Sequence, residues 1–504
     1  MLKLFGREKI EHPLADLKEA RRILGELPTE DPLFCLEEMT HWLASVRDEP
    51  SFKAEHRIQL LQLIDESGQA PARRAAREYL QAHRQLKQRE LRLWPALHEF
   101  WLNIASAYTL AAEQAAKDAG TKASLPLLAA RALRALSTQH KWACMRYGTT
   151  DNRLWETTAR VHRAVGNPQI AQTVVMLATA PQETTVEHEL SRLLMFAACS
   201  PHSLTPIDME LCERLIGHFA PRFTLSAEST AETPYWIDLG AGNAPHRGPL
   251  PAHSLGPICY FGAGQAYDAL RILKADISTA GALPSSLDLG ATYEFRQVIA
   301  VLDHLEAHWA PRLPERRHAR QPMKSRLTIA RGFDGVIEVL RPTDSMAFAS
   351  DETESWVVQN VSTGGFGAEV PQLQGDWLRV GCLLGLQTEG SNQWSLGLVR
   401  RLTRMGNFQA SVGIQTLTRS ALPVEVRILT EAMLSEHTET GIILPALRVN
   451  DELRLVLRPG IYSPGQMFVV EGAAKDRVLL PTRVIERSPD YEILACREAV
   501  RKIS

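Results

Sequence analysis

Between about residues 15 and 220 the apolar positions recur with the helical period. In IQLLQLIDESGQAP, Ile58, Leu60, Leu61 and Ile64 share a side, and the spacing predicts a helix that stops at Gly68 with Pro71 beyond. In DNRLWETTARVHRAVGNP, Asp151 or Asn152 is placed to cap a helix that carries Leu154, Val161 and Val165 on one face and ends at Gly166 and Pro168. QIAQTVVMLATA and TVEHELSRLLMFAACS keep the same period and are read as two further helices. Short helices joined by short turns predict a helical bundle or helical-repeat-like domain over residues 1–220, although no repeat of constant period appears.

The pattern changes twice. Over 221–310, Pro and Gly cluster in GAGNAPHRGPLPAHSLGP, strands are expected around TPYWIDL, and GQAYDALRILKADI and YEFRQVIAVLDHLEAHWA read as helices that complete the N-terminal domain. After residue 310 short β-branched runs dominate: RLTIARGF, GVIEVLR, SWVVQNVS, LRVGCLLGLQTE, QWSLGLVRRLT, QASVGIQTL and VEVRILT, bounded by Gly, Asn, Asp or Ser. That rhythm predicts a closed or nearly closed antiparallel barrel after residue 310. TGIILP, ELRLVLR, MFVVEG, RVLLPTRVIER and YEILACRE then predict a second small β module over 429–504. The fold class is therefore multidomain α+β, with helices first and antiparallel β afterwards.

Composition narrows the chemistry. The 504 residues exceed what one core organises, and 45% hydrophobic with 23% charged residues is an ordinary globular balance. A formal net charge of -2 argues against general nucleic-acid binding, so anion recognition must be local. The 7 cysteines are scattered without a C-x-x-C and read as reduced thiols. Neither a signal-peptide core at MLKLFGREKIEHPLADL nor a long apolar run is present, and the expected location is the cytoplasm. WIDLGAGNAP has the glycines of a methyltransferase first motif, but Pro245, Pro249 and Pro251 prevent the helix such a motif needs, so a turn after a strand is expected. Trp94, Trp101, Trp142 and Trp155 read as core or groove residues. No paired-carboxylate, nucleophile-triad, metal or P-loop spacing stands out, and the reading is of a protein that is not an enzyme and needs no cofactor.

Local positive charge is concentrated in ERRHARQPM, where Arg316, Arg317 and Arg320 fall within five positions. Forty positions after Arg320, VQNVSTGGFGAEV carries Asn360, Ser362 and Gly365 as N-x-S-x-x-G. Arginine donates a planar fork to phosphate oxygens or to the O6/N7 edge of guanine and stacks on purines. On a strand Asn360 and Ser362 point to the same face, offering an amide and a hydroxyl, and Gly365, with Gly364 and Gly367, allows close backbone approach to a flat ligand.

On ERRHAR, NVSTGGFGAEV and the later LGLVRRLTRMGNFQASVGIQTL, residues 311–428 resemble a PilZ domain, the bacterial receptor module for cyclic di-GMP. The resemblance implies a six-stranded barrel, cyclic di-GMP as ligand, and ligand roles for Arg316, Arg320, Asn360, Ser362 and Gly365, with Arg317 added by proximity. Because the arginines lie in the connector directly after HLEAHWAPRLPE, the expectation is a receptor that couples nucleotide binding to reorientation of a helical protein-interaction domain holding a protein partner. The alternative is a scaffold protein with a degenerate, non-binding barrel. Two features depart from the family pattern. SMAFASDETES reads as an inserted loop whose Asp351, Glu352 and Glu354 would repel phosphates if folded over the site. The module after residue 429 lacks both motifs and reads as a candidate degenerate second barrel.

Overall fold

The computed structural model describes residues 11–81, 87–178, 183–250, 253–312, 319–341, 353–406, 408–429, 434–445, 452–471 and 476–499. The chain forms two units, residues 1–201 with 206–314 and residues 315–504 with 202–205.

The first unit is mainly helical: α1 (Leu17–Gly25), α2 (Pro32–Asp48), α3 (Ala54–Gln81), α4 (Lys87–Ala115), α5 (Leu125–Met145), α6 (Asn152–Val165), α7 (Pro168–Ala171), α8 (Val186–Ala198), α9 (Pro206–Phe219), α10 (Gln265–Ala280) and α11 (Phe295–Trp309). Asp151 caps α6 by accepting from the Arg153 N–H at 3.0 Å, and Gly166 ends it at φ 56°, a left-handed turn that glycine adopts without strain. The expected stop at Gly68 is not observed, because α3 continues through Gly68 and Pro71 for 28 residues. Gly68 serves packing instead: a Cβ there would lie 2.4 Å from the Phe100 ring of α4, so its absence lets the two helices approach. Burial of Ile58, Leu60, Leu61, Ile64, Ala72 and Ala75 offsets the hydrogen bond lost at Pro71.

A second expectation also fails. QIAQTVVMLATA is helical only at its start, in α7, after which Val175–Met176 (β1) pairs with Glu183–Thr184 (β2). Thr173, Val174 and Val175 are β-branched and stiff at χ1, which favours the extended chain. The remaining strands of the unit form a sheet in the order β3 (Thr224–Ser226), β6 (Ile258–Gly262), β4 (Tyr235–Asp238), β5 (His246–Arg247). WIDLGAGNAP is a turn, as expected: Asp238 accepts from the N–H groups of Gly240 (2.8 Å), Ala241 (3.2 Å) and Leu255 (2.7 Å).

Charge as well as apolar burial joins these helices. Asp65 of α3 accepts from Arg131 of α5 and, at 2.9 Å, from the Tyr108 hydroxyl of α4, all buried. Arg134 of α5 grips Glu189 of α8 at 2.6 Å, Lys141 donates to Glu210 of α9 at 2.6 Å, and Arg192 of α8 to Glu213 at 2.7 Å. Trp101, Trp142 and Trp155 are core residues, and Trp94 donates to the Trp142 carbonyl at 2.6 Å. Among the described residues no helix is long and apolar enough to cross a membrane.

The second unit holds two closed antiparallel barrels. The first comprises β7 (Gln321–Arg331), β8 (Thr353–Ser362), β9 (Gly365–Val370), β10 (Leu383–Thr388), β11 (Ser395–Met405) and β12 (Gln409–Thr418), closing in the order β10-β11-β12-β9-β8-β7. The second comprises β13 (Leu422–Leu429), β14 (Leu434–Leu444), β15 (Leu453–Leu457), β16 (Met467–Val470), β17 (Arg477–Arg487) and β18 (Glu492–Glu498), closing as β13-β14-β15-β18-β17-β16. The C-terminal module is thus a full barrel. VEVRILT, read with the first barrel, is the opening strand of the second, pairing with β14 and β16.

GVIEVLR is not a strand. Gly332–Leu340 forms helix α12, whose Phe333, Val336 and Ile337 are buried in a core shared by both barrels, with Leu383, Leu396 and Leu398 from the first and Ile442, Val456, Tyr491 and Ile493 from the second. Apolar residues at positions 333, 336, 337 and 340 fit one helical face, and the barrels supply what that face packs against. Arg400 of β11 donates to Glu486 of β17 at 2.7 and 2.8 Å, and the Tyr491 hydroxyl donates to the same carboxylate at 2.9 Å.

Candidate functional site

The site begins with the pairing of β7 and β8. Gln321 lies opposite Val361 and Pro322 opposite Asn360, so Arg320, directly before Gln321, stands at the mouth of the ladder near the N-x-S segment. Forty positions of sequence separate Arg320 from Asn360, and one antiparallel pairing removes that distance. Pro322 at the strand start has no N–H to lose from the ladder. Arg320 is exposed and makes no ion pair among the described residues. Arg316 and Arg317 lie outside the described residues.

A bulge between Val358 and Asn360 resets the alternation of β8. Val358 is wholly buried in the barrel, whereas beyond the bulge Asn360 pairs with Gly367 and Ser362 with Gly365, on the outer face. The Asn360 amide lies over Gly367, 2.7 Å from where a Cβ would stand. Its Oδ1 is shielded from solvent and accepts no hydrogen bond among the described residues. Ser362 Oγ donates weakly to the Gly365 carbonyl at 3.4 Å, which leaves its lone pairs available.

Packing gives Gly365 a further reason besides the one expected. A Cβ there would fall 1.9 Å from the Ile414 carbonyl oxygen of β12, and its φ is 152°. Glycine at 365 is therefore demanded by closure of β9 on β12, whatever else approaches its backbone. The adjoining turn is tied down by the Thr416 N–H donating to the Gly364 carbonyl at 3.0 Å.

The ladder extends this surface across two more strands. Gly367 pairs with Gly413 of β12 and Gly413 with Arg401 of β11; one row along, Gly365 pairs with Gln415. Ile414, between Gly413 and Gln415, is buried, so both neighbours face outward. Asn360, Gly367, Gly413 and Arg401 thus form one outward row, and Ser362, Gly365 and Gln415 the next. Gly413, Gln415 and Arg401 escaped the sequence reading, since only strand pairing brings them to the motif.

Glu354, one of the carboxylates expected to oppose an anion, is engaged elsewhere. It accepts from the indole N–H groups of Trp356 (2.9 Å) and Trp377 (3.1 Å), faces Arg331 at 3.6 Å, and pairs with Ile329 toward the opposite end of the β7–β8 ladder. Asp351 and Glu352 lie outside the described residues.

A six-stranded antiparallel barrel with this hairpin motif on its outer face defines the class: the first barrel of the second unit is a PilZ domain. Residues 344–423 match the family described as the middle PilZ domain of the cyclic-di-GMP receptor FimW, and residues 18–230 match the family described as that receptor's N-terminal domain. The helical region, which the sequence reading attached to no family, is thereby matched as well. A curated relative, the cyclic-di-GMP receptor FimW of Pseudomonas aeruginosa (strain PAO1), is 24% identical over 153 residues, 30% of this chain and 24% of the relative. That alignment spans about a quarter of the relative's own length. No solved structure matches the chain. The matched PilZ stretch contains Asn360, Ser362 and Gly365, whereas the arginines precede it.

Proposed function

We propose that the protein is a non-enzymatic receptor for cyclic di-GMP. The ligand lies on the outer face of the first barrel, held by Arg320 with Arg316 and Arg317, by Asn360 and Ser362, and by the backbone at Gly365. The observation that carries this reading is the β7–β8 pairing, which brings an exposed arginine near Asn360, whose shielded Oδ1 accepts no hydrogen bond among the described residues. Two sequence motifs of complementary chemistry, distant in the chain, meet on one surface. The guanidinium supplies forked donors for phosphate or guanine O6/N7, and the amide and hydroxyl supply further polar contacts. The names of the matched families and of the curated relative support the same ligand.

The ERRHAR segment follows directly in sequence on the helical unit. Capture of the nucleotide by these arginines fixes the connector, and we assign to the helical unit the binding of a protein partner that responds to this ordering.

Isothermal titration of the full chain with cyclic di-GMP tests the ligand. Saturable binding at micromolar nucleotide is expected, with a Kd at least tenfold weaker for Arg320→Ala; no heat from the wild type sinks the receptor reading. Small-angle scattering with and without nucleotide tests the coupling. A ligand-dependent change that Arg320→Ala abolishes supports it, and identical profiles despite binding refute it.

A further inference from the structure

Three arginines follow one another on β11 in LVRRLTRM, and the structure gives two of them work. Arg400 sits at a bulge between Val399 and Arg401, donates to Glu486 of the second barrel, and holds Gln415 Oε1 at 2.8 Å. Arg404 pairs with Asp376 at 2.6 Å and donates to the Leu378 carbonyl. Arg401 is exposed and has no ion pair or side-chain hydrogen bond among the described residues.

Arg401 stands at the end of the outward row that begins at Asn360. Between them lie Gly367, over which the Asn360 amide is folded, and Gly413, whose absent Cβ would stand 3.2 Å from the Arg401 Cβ. Gly413 therefore forms a floor with no side chain, bounded on one side by the Asn360 amide and on the other by a free guanidinium. Gln415 borders it on the next row, oriented by Arg400. Arg320, directly before β7, and Arg401, on β11, stand at opposite ends of the patch. Four strand spacings of about 4.8 Å put at most about 19 Å between those strands along the sheet. That width, with an exposed arginine at each end, leaves room for one flat, doubly anionic molecule.

We propose that Arg401 is a further ligand-binding residue, gripping the half of the cyclic dinucleotide that Arg320 does not reach, with Gly413 as the floor beneath the ligand. This rests on the cyclic di-GMP reading above and extends it to a strand outside both sequence motifs. Glu369, exposed one row from Gly367 on β9, disfavours phosphate on that side and directs the anionic groups toward the two arginines.

The test is titration of the full chain with cyclic di-GMP, comparing wild type, Arg401→Ala, Arg401→Lys and a control, Arg341→Ala, which removes an exposed pair with Glu425. Arg401→Ala is expected to weaken Kd at least tenfold with an unchanged melting temperature. Arg401→Lys should recover only part of the loss, because the charge returns without the fork. The control should match wild type. Wild-type binding with Arg401→Ala within twofold overturns this assignment and leaves the receptor reading intact. No binding by the wild type removes the receptor reading and this inference together. Gly413→Val is the second arm: a side chain on the floor should weaken binding comparably, and unaltered affinity in a folded variant overturns the floor's role.

Discussion

The amide of Asn360 occupies the space that a side chain at Gly367 would need, 2.7 Å from the position of the missing Cβ. The two residues are one device: glycine on β9 provides the recess, and the amide of asparagine on β8 fills it, with its Oδ1 shielded from solvent. Gly367→Ala should push the amide out of place at little cost to the barrel, because the colliding atoms end a rotatable side chain. The expected result is a Kd for cyclic di-GMP weakened about tenfold, with unfolding free energy changed by less than about 1 kcal/mol. Titration and urea unfolding check the two halves.

Gly365 should behave in the opposite way. A Cβ at this position meets the Ile414 carbonyl at 1.9 Å, and backbone cannot swing aside as an amide does. Gly365→Ala is expected to destabilise the second unit by about 2–4 kcal/mol, through strain and loss of β9–β12 pairing. Thermal unfolding should register this before any ligand is added. Near wild-type stability would mean that glycine at 365 is present for the ligand alone.

The shared core predicts that the two barrels unfold together. Phe333 of α12 is 4% exposed and lies in the same cluster as Leu383 of the first barrel and Ile442 of the second. Phe333→Ala should cost about 3–5 kcal/mol and lower the stability of both barrels in one cooperative transition. Hydrogen exchange, strand by strand, is the measurement. Loss of protection confined to β7–β12 would contradict the common core.

The buried charges of the first unit predict its response to acid. Burial raises the Glu189 carboxyl, but Arg134 and then Arg192 outweigh it and hold the group down to about 2; Glu213 is likewise held well below the usual carboxylate range by Lys141 and Arg192. Both folded values lie below the unfolded ones. Their stabilising contribution is therefore complete at neutral pH and is lost as pH falls from about 5 toward 2. Helical circular dichroism against pH should show this loss. Glu189→Gln should remove part of the pH dependence and, by leaving the largely buried Arg134 without its charge partner, lower stability by about 2–3 kcal/mol at pH 7.

What could be read from the chain alone follows the reach of local physics. Side-chain period, capping residues and turn chemistry are local, so α6 with Asp151 and Gly166, the strand rhythm after residue 310 and the N-x-S-x-x-G turn were all legible. The donor and acceptor character of Arg320, Asn360 and Ser362 is likewise a property of short segments, and their role toward a ligand is the proposal made above. The misreadings occurred where packing overrides local preference: α3 runs through Gly68 and Pro71 because α4 packs into the gap, and Gly332–Leu340 is helical because two barrels share its apolar face. Tertiary structure alone decided which residues meet. Strand register set Pro322 opposite Asn360 and so brought Arg320 near the motif, tied Gly365 closely to β12, drew Glu354 away to Trp356 and Trp377, and brought Arg401 into line with the motif. Register depends on pairing between distant segments, and no single segment encodes it.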